Sequence, residues 1–384
     1  MASSADPTSS SSAAVVDPDQ PLFSLGLIAD IQYADMADSH VEGRTQRFRE
    51  CPAKLKAALS AIRGEEKKKL AALLTLGDVI NGNREDSSKN PSDLETVASL
   101  LDAAFPPSGG GEGGVPVYHV LGNHCLDLPK SKVTERLGFP PSALLNDDDD
   151  ADADADNADK EGNEEEGKTK STPPACYSVL LHRGWRLVAL DTTEMSGHAQ
   201  DSSDSARAQE ARGYLEKHPL TEGDDSPNPQ MSPWNGGPGS KQVEWLRGEL
   251  QKAASNGEKV VVAGHHQIGP GKAVRRTHAA WNWREVSEVV SGERIKDGVE
   301  VEADALSSSS SAAAATFKSP AVLYLAGHDH TGGYALAGGV HFLTLEAIVE
   351  APRGSNAFAV LDFYPEKIVV RGFGSATSRV LDLV

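Results

Sequence analysis

The chain has 384 residues, of which 39% are hydrophobic and 24% are charged, a composition typical of globular proteins. The formal net charge is −19, but residues 147–170 hold twelve acidic residues and three lysines, a net charge of −9. What remains is only mildly acidic, which argues against a nucleic-acid binder that relies on neutralising phosphates. No apolar run reaches the roughly 20 residues that a transmembrane helix needs, so the sequence gives no support for a membrane protein.

The first residues, 1–20, contain three aspartates and no lysine or arginine. A secretory signal needs a basic start and an apolar core, and a transit peptide needs arginine without acidic residues. We therefore expect a disordered tail over 1–20 on a cytoplasmic protein. The cysteines Cys51, Cys125 and Cys176 form no CxxC pair, so the sequence indicates neither a zinc knuckle nor a disulfide framework. Such cysteine usage fits a reducing compartment.

Short apolar segments that end abruptly in Gly, Asp, Asn or His alternate with helical patterns along the chain. Runs of about five to seven residues rich in Val, Leu and Ile predict strands buried on both faces. The helical patterns include 52–63 and 241–254, and strands that alternate with helices predict an α/β fold. Closely spaced strand signals over 341–383 predict a second, largely antiparallel sheet. The predicted buried strands are 23–29, 71–76, 115–121, 186–190, 259–263 and 321–326.

Three segments interrupt this alternation and are interpreted as insertions. The acidic block at about 147–171 and the Ser- and Ala-rich segment 299–317 have little apolar content. We expect both to be disordered insertions in one domain that spans 21–384. The third segment, 198–239, contains the sequence WNGG directly before a predicted helix, and it could reach the active site.

Polar side chains that could bind a metal cluster at the ends of the predicted strands. In open α/β sheets, binding sites form beyond the carboxyl ends of the strands, so motifs far apart in the chain can converge on one crevice. Glycine in four of the motifs is expected to allow the tight turn that directs a side chain back towards this crevice. The motifs, in chain order, are Asp30-Ile31-Gln32, Gly77-Asp78, Gly122-Asn123-His124, Gly264-His265-His266 and Gly327-His328-Asp329-His330.

These motifs combine carboxylates, amides and imidazoles, a donor set that suits Mn, Fe(II), Zn or Mg ions. No thiolate is clearly placed among them, which argues against a zinc ribbon or an iron–sulfur cluster. They supply about eight coordinations, enough for two ions about 3.5–4 Å apart that share a bridging carboxylate. Taken singly, the weaker motifs are more typical of turns and helix caps. Their order, each closing a buried strand, instead predicts a two-metal site.

This order of motifs resembles that of the calcineurin-like metallophosphoesterase superfamily over nearly the whole chain, from residue 25 to residue 383. Stretches outside the metal motifs are more similar still to the manganese-dependent ADP-ribose/CDP-alcohol diphosphatases. Gln32, where most of the superfamily carries histidine, is itself a feature of that subfamily. The resemblance implies a four-layer αββα sandwich with the metal site at the strand ends. The stretches that carry it are GLIADIQYAD, WNGGPGSKQVEWL, AWNW, GHDHTGGY and HFLTLEAIVEAP.

The resemblance also implies a role for each motif residue, with two divalent ions as cofactors, Mn²⁺ with Mg²⁺ as the alternative. Gln32 replaces an imidazole with an amide oxygen, a harder ligand that is compatible with Mn²⁺ over Zn²⁺. Asp329 lies between two ligands and is expected to point away from the metals. The implied ligands are Asp30, Gln32, Asp78 and His330 for one ion, and Asp78, Asn123, His265 and His328 for the other, with Asp78 bridging.

The implied reaction is hydrolysis of the pyrophosphate bond in ADP-ribose or in CDP-choline-like compounds by water that the metal pair activates. The leaving oxygen then needs a proton, and His124, next to Asn123, is the candidate catalytic residue. Many relatives place an acidic residue directly after this histidine. Here that position is Cys125, which is either a small buried residue or a redox-sensitive thiol.

Substrate contacts are less clearly indicated by the sequence. The backbone N–H groups of Asn235, Gly236 and Gly237 could bind a phosphate, although an ordinary turn before a helix is an equal alternative. His266 follows a predicted ligand, and it is either a substrate contact or a packed side chain. Aromatic residues that could stack on a nucleobase, or belong to the core instead, are Tyr33, Trp234 and Trp281.

Other functions remain open at this point. The same fold serves phosphomonoesterases and cyclic-nucleotide phosphodiesterases, and a catalytically silent scaffold is a further alternative, although every expected ligand position is filled. Purple acid phosphatases are set aside because their tyrosine ligand is replaced here by Asn81. The expected partner is a small nucleotide-diphosphate substrate. No nucleic acid or membrane is expected, and a monomer is the default.

Overall fold

The computed structural model of the chain describes residues 20–65, 69–83, 85–107, 114–144, 173–197, 206–220, 228–270, 275–293 and 318–383. Its strands are β1 (Phe23–Ile28), β2 (Ser39–Val41), β3 (Arg44–Gln46), β4 (Leu70–Thr75), β5 (Val117–His119), β6 (Tyr177–His182), β7 (Trp185–Ala189), β8 (Met195–Ser196), β9 (Gly236–Gly237), β10 (Lys259–Ala263), β11 (Ala321–Ala326), β12 (Gly333–Ala337), β13 (Val340–Thr344), β14 (Ala357–Phe363), β15 (Lys367–Gly374) and β16 (Arg379–Asp382). Its helices are α1 (Cys51–Arg63), α2 (Asn90–Ala104), α3 (Lys130–Arg136), α4 (Ala206–Lys217), α5 (Ser240–Ser255) and α6 (Trp283–Ser291).

Two six-stranded sheets dominate the described residues. The first has the order β16-β15-β14-β1-β4-β5, in which β1, β4 and β5 run parallel and β14 to β16 are antiparallel. The second has the order β12-β13-β11-β10-β7-β6, with parallel strands in its centre and an antiparallel strand at each edge. Both sheets therefore present the carboxyl ends of several parallel strands, which is where binding sites form in such folds.

Alternate residues of the strands face different layers of the molecule. In β1, Leu25 and Leu27 pack into the core between the two sheets, whereas Ile28 faces the helices outside the first sheet. Helices α1 and α2 cover that outer face, and α5 and α6 cover the outer face of the second sheet. The order helix, sheet, sheet, helix is the predicted four-layer αββα sandwich. It buries both faces of the central strands, which explains their nearly continuous apolar sequences.

The predicted elements agree with this architecture, with one correction. The six predicted strands and both predicted helices form with ends that differ by at most two residues from the expected ones. The expected second antiparallel sheet over 341–383 is wrong, because β13 joins the second sheet in parallel and β14 to β16 extend the first sheet from β1. The closely spaced strand signals over 341–383 do not indicate which sheet each strand joins, or at which edge of that sheet it pairs.

Several sequence predictions lie outside the described residues. They are the tail over 1–20, apart from Gln20, and the insertions at 147–171 and 299–317. Of the segment 198–239, the parts 206–220 and 228–239 are described. Among the helices of the described residues, none is long and apolar enough to cross a membrane.

Candidate metal centre

The predicted ligands lie at the carboxyl ends of parallel strands in both sheets. In the first sheet, Asp30 follows β1, Asp78 follows β4 and Asn123 follows β5. In the second sheet, His265 follows β10 and His328 follows β11. The two sheets are joined at this edge, because the backbone N–H of His328 donates to the Asp30 carboxylate at 3.1 and 3.2 Å. Residues almost three hundred positions apart in sequence thus share one site.

The backbone of the site is strained at the ligands themselves. Asp30, Gln32, Asp78 and His328 have φ angles of 49°, 44°, 45° and 68°. This left-handed region is uncommon for residues other than glycine, and it persists only where the surrounding structure holds it. The strain turns each side chain sharply away from its strand, into the space between the sheets' ends. Residues in such conformations concentrate at functional sites.

The glycines of the motifs mainly allow close approach rather than unusual backbone angles. Gly77 has a φ of 93°, but Gly122, Gly264 and Gly327 do not have a positive φ. A Cβ atom at Gly122 would overlap the Asp78 carboxylate, and one at Gly327 would lie 2.6 Å from Asp30 Oδ2. The sequence interpretation of these glycines as turn residues is therefore corrected at three of the four motifs, because the positive φ angles belong mostly to the ligands.

One group of donors surrounds the Asp78 carboxylate. His265 Nε2 lies 3.2 Å from Asp78 Oδ2 and 3.1 Å from the Asn123 side-chain oxygen. A ligand atom from each of Asp78, His265 and His328 lies within 4.8 Å of the others. All four residues are buried, with Asp78 and His265 fully inaccessible to solvent. Electron-pair donors that converge in this way are favourable only where a cation or a proton lies between them.

Gln32, His330 and Asp30 lie close to this group. The Gln32 amide nitrogen donates to Asp78 Oδ2 at 3.3 Å, and the Gln32 oxygen Oε1 is buried with no hydrogen-bond partner among the described residues. His330 Nε2 lies 3.7 Å from Asp30 Oδ1. A buried amide oxygen without a donor is costly unless a ligand or ion satisfies it. Gln32 and His265, which belong to different predicted ligand sets, thus both contact Oδ2 of Asp78.

The buried charges shift the ionisation of the site. Burial raises the pKa of Asp30 to about 6, although His330 and His265 act in the opposite direction. Burial would also raise the pKa of Asp78, but the charges of His265 and His124 and their hydrogen bonds outweigh it and hold that pKa below its usual range. Burial lowers the pKa of His265, yet Asp78 outweighs this and raises it to about 9. The site therefore attracts positive charge to Asp78.

Outer hydrogen bonds orient two of the histidines. His265 Nδ1 lies 2.8 Å from the backbone oxygen of Leu76, and His330 Nδ1 lies 2.7 Å from Glu350 Oε1. In each ring Nδ1 takes part in this outer hydrogen bond, and Nε2 points towards a carboxylate of the site, Asp78 for His265 and Asp30 for His330. Hydrogen bonds of this kind are typical of metal-binding histidines, since they fix the ring and the proton position. The sequence interpretation did not single out Glu350, which follows no motif glycine and lies in a turn after β13.

His124 lies at the start of a short 3-10 helix, His124–Asp127, next to Asn123. Its ring lines a cavity of about 150 Å³ together with Gln32, Asp78 and Asn123. The neighbouring Cys125 faces away from this cavity into the core, where it is 1% exposed, and burial raises the pKa of its thiol to about 12. Cys125 therefore matches the small buried residue of the two sequence alternatives, because a reactive thiol needs an exposed, ionised sulfur.

The predicted substrate residues lie close to the metal cluster but are largely enclosed. Asn235 is fully buried, and its side-chain oxygen lies 2.7 Å from His328 Nε2. Gly236 and Gly237 form β9 and pair with β8. His266 is fully buried, with Nδ1 2.9 Å from the Thr192 hydroxyl and Nε2 without a partner among the described residues. These contacts place segment 228–239 against the site, and a direct substrate contact by Gly236, Gly237 or His266 remains a prediction.

Apart from Trp234, the cavity residues outside the motifs were not predicted from the sequence. Arg275 binds the buried Asp329 carboxylate through Nε at 3.0 and 3.1 Å, and it also reaches Glu42 at 2.7 Å. Asp329 faces this guanidinium, in agreement with its expected orientation away from the metals. Trp234, at the cavity rim, is 46% exposed. The lining residues from outside the motifs are Val41, Glu42, Arg44, Gln46, Trp234, Arg275, His278 and Glu350.

The residues of this centre fit divalent metal ions. The donor set contains carboxylate and amide oxygens and imidazole nitrogens, without thiolates, which suits Mn²⁺, Fe²⁺, Zn²⁺ or Mg²⁺. The unpartnered Gln32 oxygen and the donors that converge on Asp78 are each explained by a cation beside them. Cys51, Cys125 and Cys176 are buried free thiols, and the first two pack in the core outside the first sheet.

Comparison with known proteins agrees with this geometry. A model of the calcineurin-like phosphoesterase family matches residues 23–332. The chain belongs to this family. The matched range contains every predicted metal ligand and His124, so the calcineurin-like phosphoesterase core and the site coincide.

Several relatives of this calcineurin-like phosphoesterase carry the same name, and each is similar to this chain over almost its full length. A manganese-dependent ADP-ribose/CDP-alcohol diphosphatase from Arabidopsis thaliana is 29% identical over 364 residues, which cover 92% of this chain and 94% of the relative. A protein of the same name from Mus musculus is 28% identical over 373 residues, 95% of each chain. Among solved structures, a dimetal phosphatase from Danio rerio has a TM-score of 0.72 at 23% identity and covers 95% of this chain and 100% of its own. That structure has the same fold.

Proposed function

We propose that this calcineurin-like phosphoesterase hydrolyses the pyrophosphate bond of ADP-ribose and of CDP-alcohols such as CDP-choline. The observation that carries the proposal is the similarity to relatives of that activity over more than nine tenths of the chain, at 26–29% identity. The close approach of Asp78, His265 and His328, with His330 beside Asp30, supports an active enzyme rather than a silent scaffold. The products would be AMP and ribose 5-phosphate from ADP-ribose, and CMP and a phosphorylated alcohol from a CDP-alcohol.

We further propose that two divalent ions, Mn²⁺ with Mg²⁺ as the alternative, complete the site. The relatives are named as manganese-dependent, and the buried amide oxygen of Gln32 supports a hard metal ion. When bound, the ions would supply positive charge to the phosphoryl group and activate water for attack. The proposed ligands are Asp30, Gln32, Asp78 and His330 for one ion, and Asp78, Asn123, His265 and His328 for the other.

His124 is the proposed proton donor to the leaving oxygen. Its ring faces the cavity that Asp78 and Asn123 also line, so it can reach a phosphate held there. The backbone oxygen of Asn81 lies 2.6 Å from Nδ1 and accepts a hydrogen bond from it, which leaves Nε2 to face the substrate. A positioned histidine of this kind contributes about 10²–10⁴-fold to the rate of such reactions.

The rim of the cavity offers a place for the rest of the substrate. Of the three aromatic residues considered for base stacking, Trp281 is buried at 1% exposure and Tyr33 packs on the helical core, whereas Trp234 is 46% exposed. An exposed indole at the rim supports stacking of the nucleobase, because every base presents a flat π face. Arg275 provides a cation beside it that is held rigidly by Asp329.

A panel of four substrates tests the proposed function. Protein stripped of metal is reconstituted with Mn²⁺ or Mg²⁺ and given ADP-ribose, CDP-choline, cyclic AMP and a simple phosphomonoester. We expect the two diphosphates to be turned over fastest and Asp78→Asn to abolish this activity. The specific assignment is wrong if the diphosphates are the poorest substrates. Metal-loaded protein without activity on any of the four would support the silent-scaffold alternative instead.

The cellular context is likewise part of the proposal. All three cysteines are buried free thiols, which supports a reducing compartment and hence a cytoplasmic location. A small nucleotide-diphosphate molecule is the proposed binding partner, and a monomer is the proposed state. Fractionation of the native protein and its mass in solution would test these two points.

A further inference from the structure

Asn235 makes the most complete set of side-chain hydrogen bonds next to the metal cluster. It is fully buried and directly precedes β9. Its amide nitrogen donates to the backbone oxygens of Gln230 at 2.8 Å and Thr277 at 2.7 Å, and its amide oxygen lies 2.7 Å from His328 Nε2. Its backbone N–H donates to the Ser232 oxygen at 3.0 Å. No donor of Asn235 is left for a phosphate, so its role must be a different one.

The two backbone oxygens fix the orientation of the amide. A backbone carbonyl can only accept, so both Gln230 and Thr277 must face the NH₂ group of Asn235. The amide oxygen is therefore the atom that faces His328. An amide oxygen can also only accept, and the ring atom opposite it, Nε2, must carry the proton. The proton position on His328 thus follows from contacts made on the far side of Asn235.

His328 consequently offers a different nitrogen to the site than its neighbours do. With the proton on Nε2, the neutral ring has its lone pair on Nδ1. His265 and His330 instead engage Nδ1, with Leu76 and Glu350, and direct Nε2 towards the carboxylates. A ring with the wrong proton position would present an N–H group to the metal, which cannot coordinate it.

We propose that Asn235 is a positioning residue that keeps His328 protonated on Nε2 and so makes Nδ1 its metal-binding atom. The proposal deepens the proposed function, since it rests on His328 being a metal ligand. It also gives the segment 228–239 a role. Asn235 orients His328, and the backbone oxygens of Gln230, in the same segment, and Thr277, in a separate loop, hold the Asn235 amide in place. Partners of this kind typically change metal affinity by about 10–100-fold when they are removed.

The proton position can be read directly in the metal-free protein. Long-range ¹H–¹⁵N correlation spectra of protein with labelled histidine distinguish the two neutral forms, and the His328→Gln variant identifies the signal. We expect the wild type to show a protonated Nε2 and a bare Nδ1 at His328. A protonated Nδ1 in the wild type would overturn the proposal without the need for any variant.

Two variants of Asn235 separate positioning from simple packing. Asn235→Leu removes the acceptor, and we expect mixed proton positions on His328 and about 10–100-fold weaker binding of one of two Mn²⁺ ions in calorimetric titration. Asn235→Asp retains an acceptor oxygen opposite Nε2, and we expect it to keep the Nε2 proton on His328. Its second oxygen faces the backbone oxygens of Gln230 and Thr277, which lose their donor, so this variant is compared by proton position and not by affinity. Gln230→Ala is the matched control, because it leaves the backbone oxygen of Gln230 in place.

The outcomes distinguish this proposal from the proposed function. If Asn235→Leu retains the wild-type proton position and both affinities, the positioning role is wrong even if the enzyme is active. If Asn235→Asp shows the same mixed proton positions on His328 as Asn235→Leu, the acceptor opposite Nε2 does not fix the proton, which also contradicts the proposal. If the spectra behave as expected but the wild type binds no Mn²⁺, the proposed function fails and the role of Asn235 as the residue that fixes the metal-binding atom fails with it.

Discussion

The Nδ1 atom of His124 lies 2.6 Å from the backbone oxygen of Asn81, while the backbone N–H of His124 donates to Asp78 Oδ1 at 2.9 Å. The first contact sets the ring, and the second ties its backbone to the proposed bridging carboxylate. Asn81 occupies the position where purple acid phosphatases carry a tyrosine ligand. Here the backbone at that position serves the candidate proton donor instead of the metal.

His124→Ala is therefore expected to separate metal binding from turnover. Its ring makes no contact that holds the proposed ligands, so we expect two metal ions per chain, as in the wild type, measured by elemental analysis. The turnover number on ADP-ribose should fall by about 10²–10⁴-fold, because the leaving oxygen loses its proton donor. His218→Ala, directly after α4 where the ring is half-buried against Tyr214, is the control and should leave both measurements unchanged. Near-normal turnover in His124→Ala would remove this histidine from the reaction.

Gln32 is expected to set the preference between metals. Its φ of 44° is in a region that histidine tolerates, so Gln32→His should fold. The substitution replaces a hard amide oxygen by an imidazole nitrogen, and we expect the ratio of Zn²⁺ to Mn²⁺ affinity to rise by roughly tenfold or more. Competitive titration of the metal-free protein measures this ratio. Gln32→Leu, which offers no atom that can bind a metal, should weaken the binding of both Zn²⁺ and Mn²⁺. An unchanged affinity ratio in Gln32→His would show that Gln32 is not a ligand.

The ion pair between Lys130 and Asp191 is expected to support the site through stability rather than chemistry. Lys130 Nζ lies 2.9 Å from Asp191 Oδ2, and the two side chains are 7% and 0% exposed. Asp191 immediately precedes Thr192, which binds His266. Asp191→Asn would leave a buried charge on Lys130, and we expect about 3–5 kcal/mol less free energy of unfolding in urea at neutral pH. Glu95→Gln, in an exposed pair with Arg136, should change the stability far less, because solvent screens that pair.

The pH dependence of this effect has a definite sign. Burial would raise the pKa of Asp191, but Lys130 and the hydrogen bonds from Thr193 and Ala175 outweigh it and hold the pKa below 3.8. A carboxyl with a lowered pKa stabilises the fold above its unfolded value and loses this contribution as the pH falls through the folded value. The gap between wild type and Asp191→Asn should thus be constant down to about pH 5 and shrink below about pH 4. A gap that grows on acidification would contradict the assignment of the charge.

Sequence reasoning located the candidate site because the ligands follow short, buried strands. Each motif is local, and the rule that sites form at the carboxyl ends of parallel strands brings distant motifs together. The α/β class followed from the alternation of strands and helices, and the four-layer arrangement followed from the resemblance to a known family. Asp329 was also expected to face away from the metals, as a residue between two ligands would in an extended segment. In the structure this stretch is a turn with a φ of 68° at His328, and Asp329 instead binds Arg275.

The contacts around the ligands could not be predicted in the same way. Glu350 and Arg275 reach the site through packing of separate loops, and neither stands at a fixed distance from a motif. Asn235 was expected at the site as a substrate contact, but its role depends on three partners from other parts of the chain. The strands after residue 341 were recognised as strands, yet the edge they join depends on which sheet has a free partner, here β1.

Trp234 is expected to bind the nucleobase, because it is the one of the three considered aromatic residues that is exposed at the cavity. Stacking of one base on an aromatic side chain is worth about 1–3 kcal/mol. Trp234→Ala should therefore raise KM for ADP-ribose and CDP-choline by roughly 5–150-fold. The turnover number should change little, since the indole lies at the rim and not at the reacting bond. Trp234→Phe retains a flat ring and should restore most of the affinity.

A phosphodiester that lacks a nucleobase is the control substrate. An equal rise of its KM in Trp234→Ala would mean that the tryptophan shapes the cavity instead of binding the base.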